Sequence, residues 1–409
     1  MTRTADPVVT AKRIAIAEAA IERYGAPATE LRMSAVTGTN GKTTTTNLLR
    51  AVIDAPGAPA ASIGTLGVLV GAPGREVPGG LGLTTPGPDE LHRVLRELVT
   101  IGVRDVVMEV SSHALDQHRV HGVQFEAAVF TSFTRDHLDY HETMEAYFAA
   151  KARLVGYLSP TGTAVVNADE PAWNELPPAP RRITFGLEQG DVRARGVEFH
   201  STGSRWTLAY DGREFPVRLP LIGDFNVANA LGAAAAAIAL GVSLDVVAER
   251  LSVVPQVPGR LEVIAQDPVV IRDYSHTPDS LERAINAVRP FVPGRLLVVF
   301  GAGGDRDAGK RPMMGEIAER LADLAIVTSD NPRTEDPDAI IDQIEAGMGS
   351  GHERVTDRRA AIARAIALSR AGDVILLAGK GHETYQVIGT EKHPFDERVV
   401  VAELLGAHS

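Results

Sequence analysis

Short apolar segments alternate with helical patterns along most of this 409-residue chain. In the first part, buried strands are predicted at 33–36, 103–110, 127–131 and 163–167. The helical patterns around them fall at 9–24, 45–53, 88–101, 142–158 and 226–240. Alternation of this kind predicts a largely parallel sheet with helices on both faces.

The alternation restarts after a predicted linker at 254–258, where two prolines flank Gln256 and Val257. The second part has predicted strands at 269–273, 295–300, 324–328 and 373–378, and predicted helices at 278–289, 311–322, 337–347 and 357–370. Two stretches of the first part do not follow this alternation of strands and helices. Residues 54–82 are rich in Gly and Pro, with a short apolar segment at 65–70. Residues 181–220 are predicted to form short strands added in antiparallel fashion.

Composition excludes several classes of function. The formal net charge is −11, so a nucleic-acid surface is not expected. Cysteine is absent, which excludes disulfides, thiolate metal sites and cysteine nucleophiles. No stretch is long enough to span a bilayer, and the N-terminus lacks an apolar signal region. The composition therefore predicts a cytoplasmic protein.

The segment Val36-Thr-Gly-Thr-Asn-Gly-Lys-Thr-Thr44 has the features of a phosphate-binding loop. Gly38 and Gly41 allow a tight turn, Lys42 adds a positive charge, and Thr43 or Thr44 can reach Mg²⁺. A strand precedes the loop and a helix follows it, as such sites require. The full pattern is not met, because Val36 stands where the first Gly belongs. The alternative is a Gly- and Thr-rich turn without a ligand.

Polar clusters follow the predicted strands, where ligands gather in folds of this class. Glu109 and His137 each follow a strand of the sheet that carries the loop, and together they could hold a divalent metal. One carboxylate and one imidazole are few ligands for a metal site. Lys151 lies on a helix among small residues, where the residues alone favour a surface lysine.

The second part supplies three more clusters. Residues 301–311 combine flexible backbone with three cationic side chains, which suit carboxylates or phosphates: Arg306, Lys310 and Arg311. Asp330-Asn-Pro-Arg-Thr334 and Gly379-Lys-Gly-His-Glu383 also follow strands. Arg333 and Glu383 offer opposite charges, as a zwitterionic amino acid would require. The alternative is that these are charged, solvent-exposed loops that bind no ligand.

Five ordered motifs together resemble the Mur ligases of peptidoglycan synthesis, and within them the MurE type. They are Gly38-Thr-Asn-Gly-Lys-Thr-Thr44, Glu109-Val-Ser-Ser-His113, Arg135-Asp-His-Leu-Asp-Tyr-His141, Ala149-Ala-Lys-Ala-Arg-Leu154 and Gly379-Lys-Gly-His-Glu383. The resemblance covers nearly the whole chain from about residue 33. It implies a central P-loop ATPase-like domain at 31–256 and a C-terminal Rossmann-like, amino-acid-binding domain at 257–409, both α/β.

The resemblance also implies roles for individual residues. Catalytic roles fall on Lys42, Glu109, His137 and Lys151. ATP would be bound by Gly38, Thr39, Asn40, Gly41, Lys42, Thr43, Thr44, Asn226, Asn229, Arg260 and Asp273. The acyl donor would be held by Thr84, Thr85, Ser111, Gln117 and Arg119, and the amino acid by Arg306, Asp330, Asn331, Arg333, Gly379 and Glu383. Two Mg²⁺ ions are implied, with Thr43, Glu109, His137 and Lys151 as ligands, the last as a carbamate formed with CO₂.

The implied reaction is ATP-dependent amide formation through an acyl phosphate. The family's Asp-Asn-Pro-Arg form, here 330–333, goes with meso-diaminopimelate as the incoming amino acid. Arg333 would pair with its distal carboxylate and Glu383 with its distal ammonium. The donor would be UDP-MurNAc-L-Ala-D-Glu.

One departure concerns the start of the sequence. Family members carry about a hundred residues before the loop, whereas Gly38 here follows 37 residues. Residues 1–30 are therefore expected to form a helix and linker, with the UDP-binding domain absent. Ser132 also stands where many members have Asn. Three donor interpretations stay open: weak binding of UDP, a partner chain that supplies the domain, or a UDP-free peptide or small acid in a specialised pathway. An ATPase or kinase that stops at the acyl phosphate, and a non-enzymatic scaffold, are further alternatives.

Overall fold

The structure is a computed structural model that describes residues 7–80, 82–200 and 202–406. The chain divides into two compact units at residue 255. The first unit runs up to that residue, and the second runs from Gln256 and includes the short segments 200–202 and 221–223.

The first unit contains eight helices and eleven strands among the described residues. The helices are α1 (Pro7–Tyr24), α2 (Lys42–Ile53), α3 (Pro88–Thr100), α4 (Ser112–Asp116), α5 (Leu138–His141), α6 (Met144–Ala152), α7 (Asp224–Ala239) and α8 (Leu244–Leu251). The strands are β1 (Arg32–Thr37), β2 (Ala60–Gly64), β3 (Gly67–Val70), β4 (Arg75–Val77), β5 (Asp105–Glu109), β6 (Phe125–Phe130), β7 (Leu158–Asn167), β8 (Arg181–Gly186), β9 (Val192–His200), β10 (Gly203–Tyr210) and β11 (Arg213–Leu219). Short 3₁₀ turns lie at Pro27–Glu30, Arg153–Tyr157 and Pro171–Glu175.

Strand β1 lies at the centre of the first sheet, whose order is β11-β10-β9-β8-β7-β6-β1-β5-β2-β3-β4. It pairs in parallel with β5 on one side and with β6 on the other. These strands are almost wholly buried and apolar, as strands covered on both faces must be. Their carboxyl ends meet at one edge, so the segments that follow β1, β5 and β6 lie together.

The structure corrects two expectations for the flanks of this sheet. Residues 54–82 are not simply a Gly- and Pro-rich connection, because they contain β2, β3 and β4. Glycine at 57, 71 and 74 takes positive φ, and the turns it allows separate strands too short for a clear pattern. In 181–220, β10 and β11 are antiparallel as predicted, whereas β8 continues the parallel part against β7.

The second unit has a six-stranded sheet of order β12-β13-β17-β14-β15-β16 and a separate hairpin, β18-β19. The strands are β12 (Glu262–Gln266), β13 (Val269–Asp273), β14 (Leu296–Phe300), β15 (Leu324–Val327), β16 (Glu353–Arg354), β17 (Val374–Ala378), β18 (Tyr385–Ile388) and β19 (Glu391–Pro394). The helices are α9 (Pro278–Val288), α10 (Lys310–Leu321), α11 (Pro337–Glu345), α12 (Arg358–Leu368) and α13 (Glu397–Leu404), with a 3₁₀ turn at Arg289–Phe291.

Four strands and four helices of this unit were predicted from the sequence, and the α/β fold is confirmed in both units. Strands β13, β14, β15 and β17 are parallel to their neighbours in that set, and their side chains build one apolar core with α12 and α13. Through the described part of the chain, no helix combines the length and apolar character needed to cross a membrane.

Candidate active site

The loop between β1 and α2 folds tightly because of two glycines. Gly38 and Gly41 have φ of 144° and 86°, a region that side chains rarely adopt. A Cβ on Gly41 would also meet the side chain of Asn229 on α7. Lys42 reaches back over the loop, where its Nζ donates to the carbonyl oxygens of Gly38 at 2.9 Å and Thr39 at 2.7 Å. The loop therefore presents a cation where a phosphate would sit.

The segment after β6 holds this loop in place. The backbone N–H groups of Thr39 and Asn40 donate to the carbonyl oxygen of Ser132 at 2.7 Å and to its hydroxyl at 3.0 Å. The Thr39 hydroxyl lies 3.2 Å from that of Tyr147 on α6. Ser132, the departure from the family pattern, is thus an anchor of the phosphate loop.

Glu109 ends β5 beside the first turn of α2, and only 1% of its surface is exposed. Its carboxylate accepts hydrogen bonds from the Thr43 hydroxyl at 3.1 Å and from the Thr65 N–H at 2.8 Å. Gly64 is close as well, since a Cβ there would lie 2.7 Å from Glu109 Cγ and Cδ. Thr65 was not predicted, because it follows one of the strands that the sequence pattern does not reveal.

Lys151 on α6 is buried, with 1% exposure, so the interpretation as a surface lysine is wrong. Its Nζ donates to the Gly38 carbonyl oxygen at 2.7 Å and lies 4.6 Å from the centre of the Tyr147 ring. Burial lowers the pKa of Lys151 well below its usual range, and the Lys42 ammonium lowers it further. The physical result is an amine that favours the neutral, nucleophilic form.

His137 belongs to a cluster of aromatic rings beside these lysines. Its ring centre lies 4.8 Å from that of His113, and the His113 ring lies 4.2 Å from that of Tyr140. Partial burial lowers the pKa of His137, Asp136 opposes that shift, and Lys42 and Lys151 add to it. Burial and the neighbouring imidazoles lower the pKa of His113 to about 4. Neutral imidazoles of this kind are suited to ligate a metal.

Across the described ranges, no three His, Asp or Glu side chains come together as a metal site. Glu109 ends β5 and His137 lies after β6, so the two supply one carboxylate and one imidazole. A third ligand, with negative charge, would have to come from another residue. The Thr43 hydroxyl is next to Glu109, and Lys151 is electrostatically close to His137.

The side chains expected to hold the acyl donor form one connected group. The Thr85 hydroxyl donates to the Glu109 carbonyl at 2.9 Å and accepts from the Ser111 N–H at 3.0 Å. Arg119 donates to the Thr85 carbonyl at 2.9 Å and to the Gln117 side chain at 2.7 Å. Thr84 lies at the edge of this group, with its hydroxyl 3.5 Å from that of Thr65.

Asn226 and Asn229 lie on the first turns of α7, against the phosphate loop. The Asn229 amide donates to the Asn226 side-chain oxygen at 3.2 Å, and its own oxygen accepts from Thr45 at 3.4 Å. Both residues are buried. The expected nucleotide residues of the first unit are therefore brought together.

In the second unit, Asp273 ends β13 in a half-buried position. It accepts hydrogen bonds from the Leu261 N–H at 2.8 Å and from the Ser275 hydroxyl. Burial raises the pKa of Asp273, and the nearby Arg260 guanidinium opposes the shift. Arg260 itself stacks 4.7 Å from the centre of the Tyr274 ring. These two predicted residues thus lie close together.

Asn331 and Glu383 also lie together, around a lysine that was not assigned a role. Lys380 is fully buried, and its Nζ lies 3.1 Å from Glu383 Oε2 and 3.3 Å from Asn331 Oδ1. The Asn331 amide donates to the same Glu383 oxygen at 2.8 Å. Gly379 has a φ of 119°, and a Cβ there would collide with Asp330. The central lysine of the Gly-Lys-Gly-His-Glu motif could have been singled out from the motif itself.

The cations of the 301–311 segment have different roles. Arg311 is buried and pairs with Glu335 at 2.8 Å, so it is not available to a ligand as the sequence suggested. Arg306 is exposed. Arg333 donates to the Gly304 carbonyl at 2.8 Å and has a φ of 54°, fixed by backbone hydrogen bonds to Val387 and Gly389. Arg333 thus contacts this loop through Gly304, and a Cβ on Gly303 would lie 2.9 Å from Arg333 Nη1 and 3.8 Å from Arg306 Cγ, so both arginines border the same glycine.

Comparisons with known proteins show the family to which the chain belongs. The Mur ligase middle domain matches residues 36–237, and the Mur ligase glutamate ligase domain matches 259–381. UDP-N-acetylmuramoyl-L-alanyl-D-glutamate–2,6-diaminopimelate ligase of Synechococcus elongatus is 48% identical over 92% of this chain and 76% of its own length.

Solved structures agree. A ligase of the same name shares 36% identity and a TM-score of 0.65, over 93% of this chain and 79% of the other. A Mycobacterium tuberculosis folylpolyglutamate synthase complexed with ADP has a TM-score of 0.75 at 19% identity, over 91% of this chain and 92% of its own, which shows the shared fold. The predicted absence of a UDP-binding domain stays a prediction. Both halves of the chain match the same family in order, and the chain therefore belongs to the Mur ligases.

Proposed function

We propose that this chain is an ATP-dependent ligase that joins 2,6-diaminopimelate, in its meso form, to the D-glutamyl carboxylate of UDP-MurNAc-L-Ala-D-Glu. The Synechococcus elongatus relative and the solved ligase at 36% identity are named for the ligation of 2,6-diaminopimelate. The observation that carries the proposal is the contact between Lys151 and the Gly38 carbonyl at 2.7 Å, because it places a reactive, buried amine at the phosphate loop of a Mur ligase.

The chemistry proceeds in two steps. An oxygen of the donor carboxylate attacks the γ-phosphorus of ATP, which gives an acyl phosphate and ADP. The amino group of diaminopimelate then attacks the acyl carbon, and phosphate leaves with the oxygen that the carboxylate contributed. Catalysis of such a reaction depends on positioning and on offsetting negative charge at the transferring phosphoryl group.

The residues of the first unit fit this task. The N–H groups of the loop and Lys42 would bind the phosphates, with Asn226 and Asn229 near the rest of the nucleotide. Thr43, Glu109 and His137 supply a hydroxyl, a carboxylate and an imidazole, which are ligand types that divalent cations accept. Mg²⁺ bound there would supply positive charge to the phosphoryl oxygens.

A carbamate on Lys151 would provide the missing anionic ligand. The neutral amine that burial favours can add to CO₂, with loss of one proton, to give the anion. The expected donor residues around Thr85 and Arg119 lie beside Glu109, so they would present the donor carboxylate at the edge of the sheet that carries the loop.

The second unit would hold the incoming amino acid. Glu383 would accept its distal ammonium, while Asn331 and Lys380 fix the orientation of that carboxylate. Arg333 and Arg306 would meet a carboxylate of the amino acid. The binding domains at 31–256 and 257–409 are part of the same proposal.

The test is product formation with ATP, Mg²⁺ and amino acid, followed by mass spectrometry. The donors are UDP-MurNAc-L-Ala-D-Glu and L-Ala-D-Glu, and the amino acids are meso-diaminopimelate and L-lysine. The proposal expects ligation with the UDP-linked donor and meso-diaminopimelate. Ligation of the free dipeptide alone would favour a specialised pathway instead, and ATP hydrolysis without any amine would favour a plain ATPase.

A further inference from the structure

Helix α1 carries a cation that none of the roles above uses. The NH1 group of Arg13 is buried, and it makes no hydrogen bond within the described part of the chain. Nor does any described carboxylate form an ion pair with Arg13 or with Arg119. A buried guanidinium nitrogen without an acceptor is costly, so its retention calls for an anion that the free protein does not supply.

The position of α1 turns Arg13 toward the body of the first unit. Ala17 and Ala20, which share its face at helical spacing, are buried. Further along the same face, the Ile21 side chain lies where a Cβ on Gly122 would fall. At Ile21 this face therefore meets the turn that follows α4, and that turn carries Arg119.

Electrostatics places Arg13 beside the expected donor group. Burial lowers the pKa of Arg119, Tyr140 opposes that shift, and the Arg13 guanidinium adds to it. Burial likewise lowers the pKa of His118, with the Arg153 and Arg13 cations contributing in the same direction. Three cations, Arg13, Arg119 and Arg153, therefore act on this region together with one carboxylate, that of Asp116.

The carboxylate of Asp116, which lies nearby, already has hydrogen-bond partners. Asp116 accepts from the Tyr140 hydroxyl at 2.8 Å and from Arg153 at 3.2 Å. Arg119 uses its donors on the neutral Thr85 carbonyl and Gln117 side chain. Positive charge from Arg13 and Arg119 is consequently left for a ligand.

We propose that Arg13 and Arg119 form an anion-binding site that takes an oxyanion of the acyl donor, and that Arg13 is a donor-binding residue of this enzyme. The chemistry is a carboxylate or a phosphate held by two guanidinium groups. In the donor, this group is either the α-carboxylate of the D-glutamyl residue or the diphosphate. The assignment to the donor rests on the proposed function, whereas the anion site does not.

The test compares wild type with Arg13→Met, Arg13→Lys and the control Lys12→Met. Lys12 is the exposed neighbour on the same helix, so its replacement removes the same charge without touching the site. Donor affinity is measured by calorimetry for UDP-MurNAc-L-Ala-D-Glu, for its D-isoglutamine analogue, which lacks the α-carboxylate, and for L-Ala-D-Glu, which lacks the phosphates. The KM values for ATP and diaminopimelate are measured in parallel.

Arg13→Met is expected to weaken binding of the full donor roughly tenfold or more, which is the scale of one charge-assisted hydrogen bond. Arg13→Lys should recover part of the affinity, and Lys12→Met should stay within about twofold of wild type. The KM values for ATP and diaminopimelate should not change. Without donor, the melting temperature of Arg13→Met should equal or exceed that of wild type, whereas a structural arginine would lower it. The analogue that loses its sensitivity to Arg13→Met identifies the oxyanion.

Sulfate tests the anion site separately from its assignment to the acyl donor. Sulfate stabilises folded proteins in general, so only the difference between variants is informative. We expect a smaller rise in melting temperature with sulfate for Arg13→Met than for wild type and Lys12→Met. If wild type fails to bind the UDP-linked donor but keeps this difference, the proposed function fails and the anion site stands. An equal sulfate response in all variants, or unchanged donor affinity in Arg13→Met, overturns the inference.

Discussion

Lys42 and Lys151 donate to the same acceptor, the carbonyl oxygen of Gly38, at 2.9 and 2.7 Å. Two ammonium groups on one carbonyl oxygen would repel each other strongly at that separation. Burial and the Lys42 ammonium both disfavour the charged form of Lys151. This arrangement suits Lys42 to binding phosphates and Lys151 to acting as a reactive amine.

Lys151→Ala should lose activity by a hundredfold or more, because a charge that supports phosphoryl transfer is removed. Acetate or propionate at tens of millimolar should restore part of the activity, since a free carboxylate can stand in for the carbamate. The measurement is the rate of ADP formation with donor and amino acid present. Lys392→Ala changes an exposed lysine and is the control. A variant that keeps normal activity, or one that no carboxylate restores, would argue against the carbamate.

The buried amine also predicts a pH dependence of stability. The folded-state pKa of Lys151 is lowered, so between that pKa and 10.5 the unfolded chain binds a proton that the folded chain does not. The free energy of unfolding therefore rises with pH across this window, by at most about 1.4 kcal/mol per pH unit. Lys151→Met lacks this slope, and its stability relative to wild type should improve as the pH falls from 10 to 7.

Urea unfolding in CO₂-free buffer measures this difference. Both tryptophans, Trp173 and Trp206, lie in the first unit, so their fluorescence reports the unit that contains Lys151. Lys392→Met should show no pH-dependent difference from wild type. The same stability difference at pH 7 and pH 10 for Lys151→Met would mean that the lysine is charged in the folded protein.

Gly64→Ala should disturb the metal site without replacing a predicted ligand. The added methyl group would lie on the Glu109 side chain, which must then turn away from Thr43. We expect at least a tenfold loss of activity and a higher requirement for Mg²⁺, measured by titration of the cation. Gly156→Ala is the matched control, because a Cβ at Gly156 meets no atom within 4 Å. Equal behaviour of the two variants would remove Glu109 from the metal site.

Lys380→Met should affect the amino acid selectively. The ammonium group holds Glu383 Oε2 and Asn331 Oδ1 together, and its loss leaves both less well oriented. The KM for diaminopimelate should rise about tenfold or more, while the KM values for ATP and donor stay near wild type. Loss of one partner of a buried ion pair should also lower the melting temperature.

Lys392→Met is the control for that variant, since Lys392 is exposed and lies 4.0 Å from the centre of the Tyr385 ring that Lys380 also faces. A uniform rise in all three KM values would indicate a general structural effect of Lys380 rather than a role at the amino-acid site.

Features that depend on residues close together in sequence could be predicted, whereas features that depend on distant residues could not. Strands such as β1, β5 and β14 were predicted because burial on both faces imposes a continuous apolar run. Strands β2 to β4 were not predicted because they are short and glycine turns separate them. They pair with one another in sequence order, and β2 also pairs with the distant β5. Strands β18 and β19 form a small two-stranded hairpin with exposed positions and no apolar period.

The site shows the same limit. Gly38, Gly41 and Lys42 are recognisable because the phosphate loop is local in sequence. The burial of Lys151, by contrast, depends on its approach to Gly38, 113 residues away. Thr65, Tyr147 and Arg13 were missed for the same reason, since each reaches the site through tertiary contacts that no local pattern records.

The most direct test of the central claim follows one oxygen atom. The donor UDP-MurNAc-L-Ala-D-Glu is labelled with ¹⁸O in its γ-carboxylate and incubated with ATP, Mg²⁺ and meso-diaminopimelate, and the released phosphate is analysed by mass spectrometry. Activation as an acyl phosphate predicts one ¹⁸O atom in each phosphate, in amounts equal to ADP and amide product. Phosphate without the label would mean that water, not the donor carboxylate, attacks ATP, and would contradict the account.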